Sequence, residues 1–163
     1  MATTKKTIIL FSGDFDRVMA ALIVANGAAA MGDDVTIFCT FWGLNILRRE
    51  KVAAAAGAGG GKSFLQKAFG RMMPKGTKRL GLSRMNFAGA GEPLMRKVMR
   101  DRNAMSLEEL FASAREQGVK FVACTLSMDI LGFTKEELVD GVEFAGVAAY
   151  LGEADEANVN LFI

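Results

Sequence analysis

The chain has 163 residues, 51% of them hydrophobic, and a net charge of only +2. This length corresponds to about one domain, and the apolar content excludes a disordered chain. The absence of histidine excludes Ser-His-Asp and Cys-His catalysis and histidine-based metal sites. No apolar run is long enough to predict a membrane span, and the N-terminus lacks a secretory signal pattern, so we expect a cytoplasmic protein.

The predicted elements alternate between strands and helices. Residues 7–11 are an apolar run that predicts a buried strand, and Asp14 caps a helix that ends at Gly32. Further strands are predicted at 35–38, 119–124, 142–144 and 158–163, and further helices at about 43–56, 63–73, 92–102, 107–117, 127–131 and 146–153, with capping boxes at Ser106 and Thr134. The alternation predicts a three-layer α/β/α sandwich with a mainly parallel sheet of about five strands.

A basic, glycine-rich segment interrupts this alternation. Residues 48–102 carry 14 lysines and arginines against three acidic residues. We interpret the chain as a single domain, 1–163, with an irregular basic insertion at about 57–91. We expect this insertion to attract an acidic partner or to form the contact between subunits of a homo-oligomer. Few aromatic residues are interleaved with the cations, so we expect no nucleic-acid partner.

Cys124 is the leading candidate for a functional residue. It ends a predicted strand ahead of a short helix, and ligand sites in parallel sheets lie beyond the carboxyl ends of the strands. A thiol in that position faces the amide groups of the following helix, which favour the thiolate. Thr125 and Ser127 are candidate hydrogen-bond donors, and Asp129 is a candidate orienting carboxylate. The alternative is a buried cysteine that only fills the core.

Cys39 occupies the equivalent position at the end of the second predicted strand. If neighbouring strands carry Cys39 and Cys124, the two thiols would meet at one edge of the sheet. The aromatic residues that follow Cys39 favour a packing role for it instead.

Residues 56–63 (AGAGGGKS) match a relaxed form of the phosphate-binding loop. Such a loop follows a strand, whereas these residues follow a predicted helix, so a flexible hinge is favoured over nucleotide binding.

Two motifs resemble those of the DsrE/DsrF-like proteins, in the larger branch that carries a basic, glycine-rich insertion. They are FCTFWGLN at 38–45 and ACTLSMD at 123–129, and the ending at 143–163 is similar to that branch as well. The resemblance implies an α/β/α fold and a sulfurtransferase or sulfur carrier that holds sulfane sulfur as a persulfide on Cys124. It also implies rhodanese-like or TusA-like relay partners, self-assembly, and no metal or organic cofactor. Cys39 would be auxiliary, since that branch often has an aromatic residue there.

Three other functions stay open from the residues. The first is a non-enzymatic interaction module that uses the basic, methionine-rich segment. The second is a nucleotide-binding protein that uses residues 56–63. The third is a thiol peroxidase, although the usual Pro-x-x-x-Thr/Ser-x-x-Cys pattern is missing around both cysteines.

Overall fold

The strands form a single parallel sheet in the computed structural model, which describes residues 4–50 and 62–163. The five strands among these residues are β1 (Lys5–Leu10), β2 (Asp34–Cys39), β3 (Lys120–Cys124), β4 (Glu143–Ala145) and β5 (Val159–Phe162). Their order is β4-β3-β2-β1-β5, and every neighbouring pair is parallel. All carboxyl ends therefore lie at one edge of the sheet.

Helices cover both faces of this sheet. The α-helices of the described residues are α1 (Phe15–Ala30), α2 (Phe64–Met72), α3 (Gly91–Asp101), α4 (Leu107–Glu116), α5 (Thr125–Leu131) and α6 (Val147–Asp155). The larger core lies between the sheet and the helices α1 and α4, and a smaller core lies on the opposite face beneath Tyr150 of α6. The predicted three-layer α/β/α fold with a parallel sheet is confirmed.

The sequence of α1 explains its packing against the sheet. Phe15, Val18, Leu22 and Ala25 recur at helical spacing, and all four are fully buried. Burying each of the larger side chains contributes roughly 1.5–3 kcal/mol. The helix stops before Gly32, whose φ of +87° is readily adopted by glycine.

The α-helix predicted over about 43–56 is wrong for the residues that the structure describes. Phe41–Leu47 form a 3₁₀ helix, and Arg48 then makes an antiparallel bridge with Leu138. Residues 51–61 lie outside the described part of the chain. Within this 3₁₀ helix, Gly43 lies so close to the Leu10 carbonyl that a Cβ there would be 2.0 Å from its oxygen.

The capping box predicted at Thr134 is also wrong. Lys135–Glu137 form a single 3₁₀ turn, and the Thr134 side chain makes no capping hydrogen bond. Glu137 is drawn into a buried ion pair with Arg48 instead of reaching back to the start of the turn. The capping box predicted at Ser106 is confirmed, because Ser106 and Glu109 bond reciprocally at the start of α4.

The described part of the basic insertion is anchored by Arg48. This side chain is only 3% exposed, and its Nη atoms donate to the carbonyls of Gly70 at 2.9 Å and Pro74 at 3.2 Å. Its guanidinium also lies 4.3 Å from the centre of the Phe133 ring. Arg48 thus ties the end of α2 to the core domain.

Candidate active site at the carboxyl edge of the sheet

The end of β3 places Cys124 at the carboxyl edge of the sheet. Cys124 is the last residue of β3 and the N-cap of α5, with extended backbone angles. It pairs in register with Ala145, the last residue of β4. The position agrees with the sequence-based expectation of a strand-end thiol before a helix.

The surroundings of Cys124 favour its thiolate form. Burial alone would raise the pKa of this thiol, but hydrogen bonding from the Ser127 hydroxyl and N–H, the Thr40 hydroxyl and the Leu126 N–H outweighs it and lowers the pKa below the ordinary value. The residue keeps 6% of its surface exposed. Cys124 is therefore shielded on most sides and keeps a small exposed surface.

Two hydroxyl groups from different elements meet beside this thiol. The Thr40 and Ser127 oxygens lie 2.7 Å apart, and Ser127 is buried. Thr40 directly follows β2, and Ser127 lies in the first turn of α5. Because each hydroxyl is held by the other, both are fixed near Cys124 instead of rotating freely.

The wall on the α6 side of Cys124 is aromatic. Cys124 shares the smaller core with Phe38, Val122 and Tyr150. The Phe38 and Tyr150 rings lie 5.0 Å apart, and the Tyr150 hydroxyl lies 3.2 Å from the Thr7 hydroxyl. This hydrogen bond satisfies the phenol in an otherwise apolar layer.

Cys39 lies on the opposite face of the sheet from Cys124. It is in register with Ala123, and successive side chains of a strand alternate between faces, so Cys39 and Ala123 share the larger core while Cys124 belongs to the smaller one. Cys39 has no exposed surface, and burial raises the pKa of its thiol far above the ordinary range. The sheet brings the two strand ends together but separates the two thiols.

Two further predicted site residues are not among the groups that hydrogen-bond to the thiol. The Thr125 hydroxyl donates to the Ala145 carbonyl at 3.5 Å, which is long for a hydrogen bond. Asp129 is exposed, and among the described residues its carboxylate makes no hydrogen bond or ion pair, while its backbone carbonyl accepts from Gln66 at 2.9 Å. Ser127 is thus the predicted neighbour that the structure brings closest to the chemistry of Cys124.

Sequence reasoning missed Thr40 and Tyr150. Thr40 directly follows a strand end, which is the same signal that singled out Thr125, but its relevance depends on β2 and β3 being neighbours. Tyr150 lies in the ending at 143–163, whose similarity to the family branch singles out no particular residue within it.

The donor set at this edge fits sulfur chemistry better than metal binding. The site offers one thiol, two hydroxyls and backbone N–H groups, and these stabilise a sulfur anion by hydrogen bonds. Across residues 4–50 and 62–163, no cluster of three or more cysteine, aspartate or glutamate side chains is arranged to hold a metal ion. No helix in the same residues is both long and apolar enough to cross a bilayer.

The fold and the site define a class of protein: a three-layer parallel α/β domain with a thiol of lowered pKa at a strand end. The model of the DsrE/DsrF/DrsH-like family matches residues 2–162. The chain belongs to this family, which confirms the resemblance seen in the sequence motifs.

Two curated relatives are similar in sequence over nearly the whole chain. It is 53% identical over 161 residues to the uncharacterized protein YrkE of Bacillus subtilis, covering 99% of this chain and 98% of the relative. It is 32% identical over 167 residues to the sulfur carrier protein DsrE2 of Allochromatium vinosum, covering 100% of both.

Two solved structures share the fold. The protein MTH1491 of Methanobacterium thermoautotrophicum is similar with a TM-score of 0.54 at 15% identity, over 98% of this chain and 99% of that one. The ychN protein of E. coli is similar with a TM-score of 0.55 at 11% identity, over 99% and 100%. At these identities the likeness concerns the fold alone.

Proposed function

We propose that this protein is a sulfur carrier or sulfurtransferase that holds sulfane sulfur as a persulfide on Cys124 and passes it to a partner thiol. The observation that carries the proposal is the position of Cys124, a 6%-exposed thiol at the end of β3 beside the Ser127 and Thr40 hydroxyls, whose hydrogen bonding lowers its pKa. Family membership and the 32% identity to a sulfur carrier protein support the same class of function.

The transfer needs no external oxidant or reductant. The Cys124 thiolate attacks the outer sulfur of a donor persulfide, forming a new S–S bond while the donor's S–S bond breaks. The donor leaves as a thiolate and takes up a proton, and Cys124 now carries the persulfide. An acceptor thiolate then attacks the outer sulfur, and Cys124 returns as the leaving thiolate, which the surrounding donors stabilise.

Each neighbouring residue has a proposed part in this cycle. Ser127 and Thr40 stabilise the Cys124 thiolate by hydrogen bonding, both before loading and when it leaves. Thr125 positions the end of β4 through the Ala145 carbonyl. Asp129, exposed on α5, acts on an approaching partner and not on the thiol itself. Cys39 is an auxiliary core residue, and no sulfane sulfur is transferred to its thiol.

The proposal also covers the compartment, the partners and the oligomeric state of the protein. A free low-pKa thiol persists in a reducing compartment, which favours the cytoplasm. The expected donor and acceptor are rhodanese-like or TusA-like relay proteins. Homo-oligomer formation is supported by the large apolar side chains exposed near the strand ends, among them Phe11, Trp42 and Phe162.

Intact-mass spectrometry of reduced protein treated with polysulfide tests the proposal. Wild type and Cys39→Ser should each gain one sulfur atom, which a reductant removes, and Cys124→Ser should gain none. A persulfidated rhodanese is used as the second donor. If no donor adds sulfur to a folded protein whose Cys124 resists alkylation, the persulfide function is wrong and the interaction-module alternative takes its place.

A further inference from the structure

A cationic cavity lies apart from Cys124, between α2 and the chain that follows α5. Its volume is about 240 Å³. Five cations and one carboxylate are among its lining residues, namely Arg48, Lys62, Lys67, Arg71, Lys75 and Glu137. Gly132 and Phe133, which follow the end of α5, form another part of its wall, whereas Cys124 precedes the start of that helix. The persulfide cycle makes no use of this cavity.

The single carboxylate is already engaged by two of the cations. Glu137 is buried, lies 3.8 Å from the Arg48 guanidinium and forms an ion pair with Lys62. Its charge is therefore satisfied within the wall of the cavity. The remaining three cations face the cavity without this compensation.

Lys67, Arg71 and Lys75 make no ion pair and donate no side-chain hydrogen bond to any residue in 4–50 or 62–163. Residues 1–3 and 51–61 contain no aspartate or glutamate, so the rest of the sequence supplies no acidic side chain to neutralise them. Three cations spaced four residues apart at one cavity therefore create a local positive potential, which favours an anion.

Arg48 contributes to the wall of this cavity from the core domain. Its two Nη atoms are used by backbone carbonyls, but its buried Nε–H has no acceptor among the described residues. A buried donor without an acceptor costs about 1–3 kcal/mol.

We propose that this cavity binds a tetrahedral, doubly charged oxyanion, a phosphate group or its isostere. Guanidinium groups match phosphate oxygens with paired donors, and lysines add point charges. One water takes up about 30 Å³ of liquid, so the cavity has room for such a group with part of its hydration shell and is too small for a folded polypeptide. The phosphate is either free or carried on a nucleotide, whose remainder would extend into the adjoining groove that shares Arg71 and Lys75.

An amide NMR titration of the reduced, nitrogen-labelled full chain tests this site. The probes are inorganic phosphate, sulfate and ADP, with ionic strength held constant by chloride. Phosphate and sulfate should shift the amides of Gly70 and Gly132 in a saturable way. Tighter binding of ADP than of phosphate would show a nucleotide-borne group, and equal or weaker binding a free anion.

Variants at exposed cavity residues make the result specific. Lys67→Gln and Arg71→Gln should each raise the Kd for phosphate by about tenfold, since a charge-assisted hydrogen bond is lost. Arg71→Lys should restore part of the affinity. Lys120→Gln, at the start of β3 and outside the lining residues, is the matched control and should leave the Kd unchanged. The proposal is overturned if no probe gives saturable shifts, or if the Lys67 and Arg71 variants bind as tightly as Lys120→Gln.

Discussion

The hydroxyl oxygens of Thr40 and Ser127 lie 2.7 Å apart, although 87 positions separate the two residues in the chain. This contact joins the end of β2 to the first turn of α5, directly beside Cys124. Because one of these hydroxyls donates its single proton to the other, the pair leaves one O–H for a sulfur anion that forms at Cys124. The sulfur chemistry proposed for Cys124 therefore depends on two neighbouring strands.

Replacing Ser127 should make the Cys124 thiol less reactive. Ser127→Ala removes the hydroxyl that helps lower the pKa of Cys124, so the titration midpoint moves up and less thiolate is present at any pH below it. A hydrogen bond to a charged group contributes about 1.5 kcal/mol or more, so the alkylation rate in that range should fall about tenfold. The measurement is the pH dependence of iodoacetamide alkylation in a Cys39→Ser background.

Two further variants control this experiment. Thr40→Val should shift the midpoint in the same direction but less far, because Ser127 retains its own hydroxyl and N–H. Ser113→Ala, on α4 and away from the thiol, should leave the midpoint unchanged. A Ser127→Ala protein that titrates like wild type would contradict the role of this hydroxyl.

The two cysteines should behave as chemically separate groups. Cys39 and Cys124 project from opposite faces of the sheet, and Cys39 is fully buried, so they should form no intramolecular disulfide in the folded protein. A thiol reagent such as DTNB should modify one cysteine in native protein and both after denaturation. Peptide mapping should identify the native target as Cys124. Rapid modification of Cys39, or a Cys39–Cys124 disulfide formed without unfolding, would show that this arrangement is wrong.

The sequence predicted the strand-end placement of both cysteines but not the face on which each one lies. Alternation within a strand is visible in the sequence, whereas the register between β2 and β3 is set by tertiary packing. The pairing of Cys39 with Ala123, and not with Cys124, separates the thiols. The role of Thr40 was hidden for the same reason, since it follows from strand order.

Arg48 shows a second limit of prediction from the sequence. It lies in the helix predicted over about 43–56 and begins the basic stretch 48–102, yet it is buried against carbonyls 22 to 26 residues further along the chain and pairs with Glu137. Local patterns carry no information about such distant acceptors. The two predicted capping boxes differ in the same way. Ser106 and Glu109 are three residues apart and pair as predicted, whereas Glu137 pairs with the distant Arg48.

Removing Glu137 should destabilise the protein markedly. Glu137→Ala leaves the buried Arg48 without its carboxylate, and breaking a buried ion pair by removing one partner costs about 3 kcal/mol or more. Urea unfolding in chloride buffer should show a lower midpoint with an unchanged slope. The matched control is Asp140→Ala, because Asp140 pairs with Arg49 at 2.6 Å but its carboxylate side chain is 88% exposed. That variant should lose less than about 1 kcal/mol. Equal losses in the two variants would contradict the buried role of Glu137.

Two glycine substitutions should have opposite effects on stability. A Cβ at Gly43 would lie 2.0 Å from the Leu10 carbonyl oxygen, so Gly43→Ala forces the backbone apart and should cost about 2 kcal/mol or more. Gly27 lies inside α1 with nothing within 4 Å of an added Cβ, so Gly27→Ala should stabilise by about 0.5–1 kcal/mol through its higher helix propensity. Urea unfolding of both variants measures the difference.

The Gly43 substitution should also lower the reactivity of the Cys124 thiol. The Gly43 N–H donates to the Thr40 carbonyl at 3.0 Å and to the Phe11 carbonyl at 2.9 Å, so a displaced Gly43 moves Thr40 and weakens its contact with Ser127. Alkylation of Cys124 in folded Gly43→Ala protein should therefore slow at a pH below the midpoint, while Gly27→Ala keeps the wild-type rate. If Gly43→Ala is destabilised yet its Cys124 reacts as in wild type, Thr40 does not depend on this turn for its position.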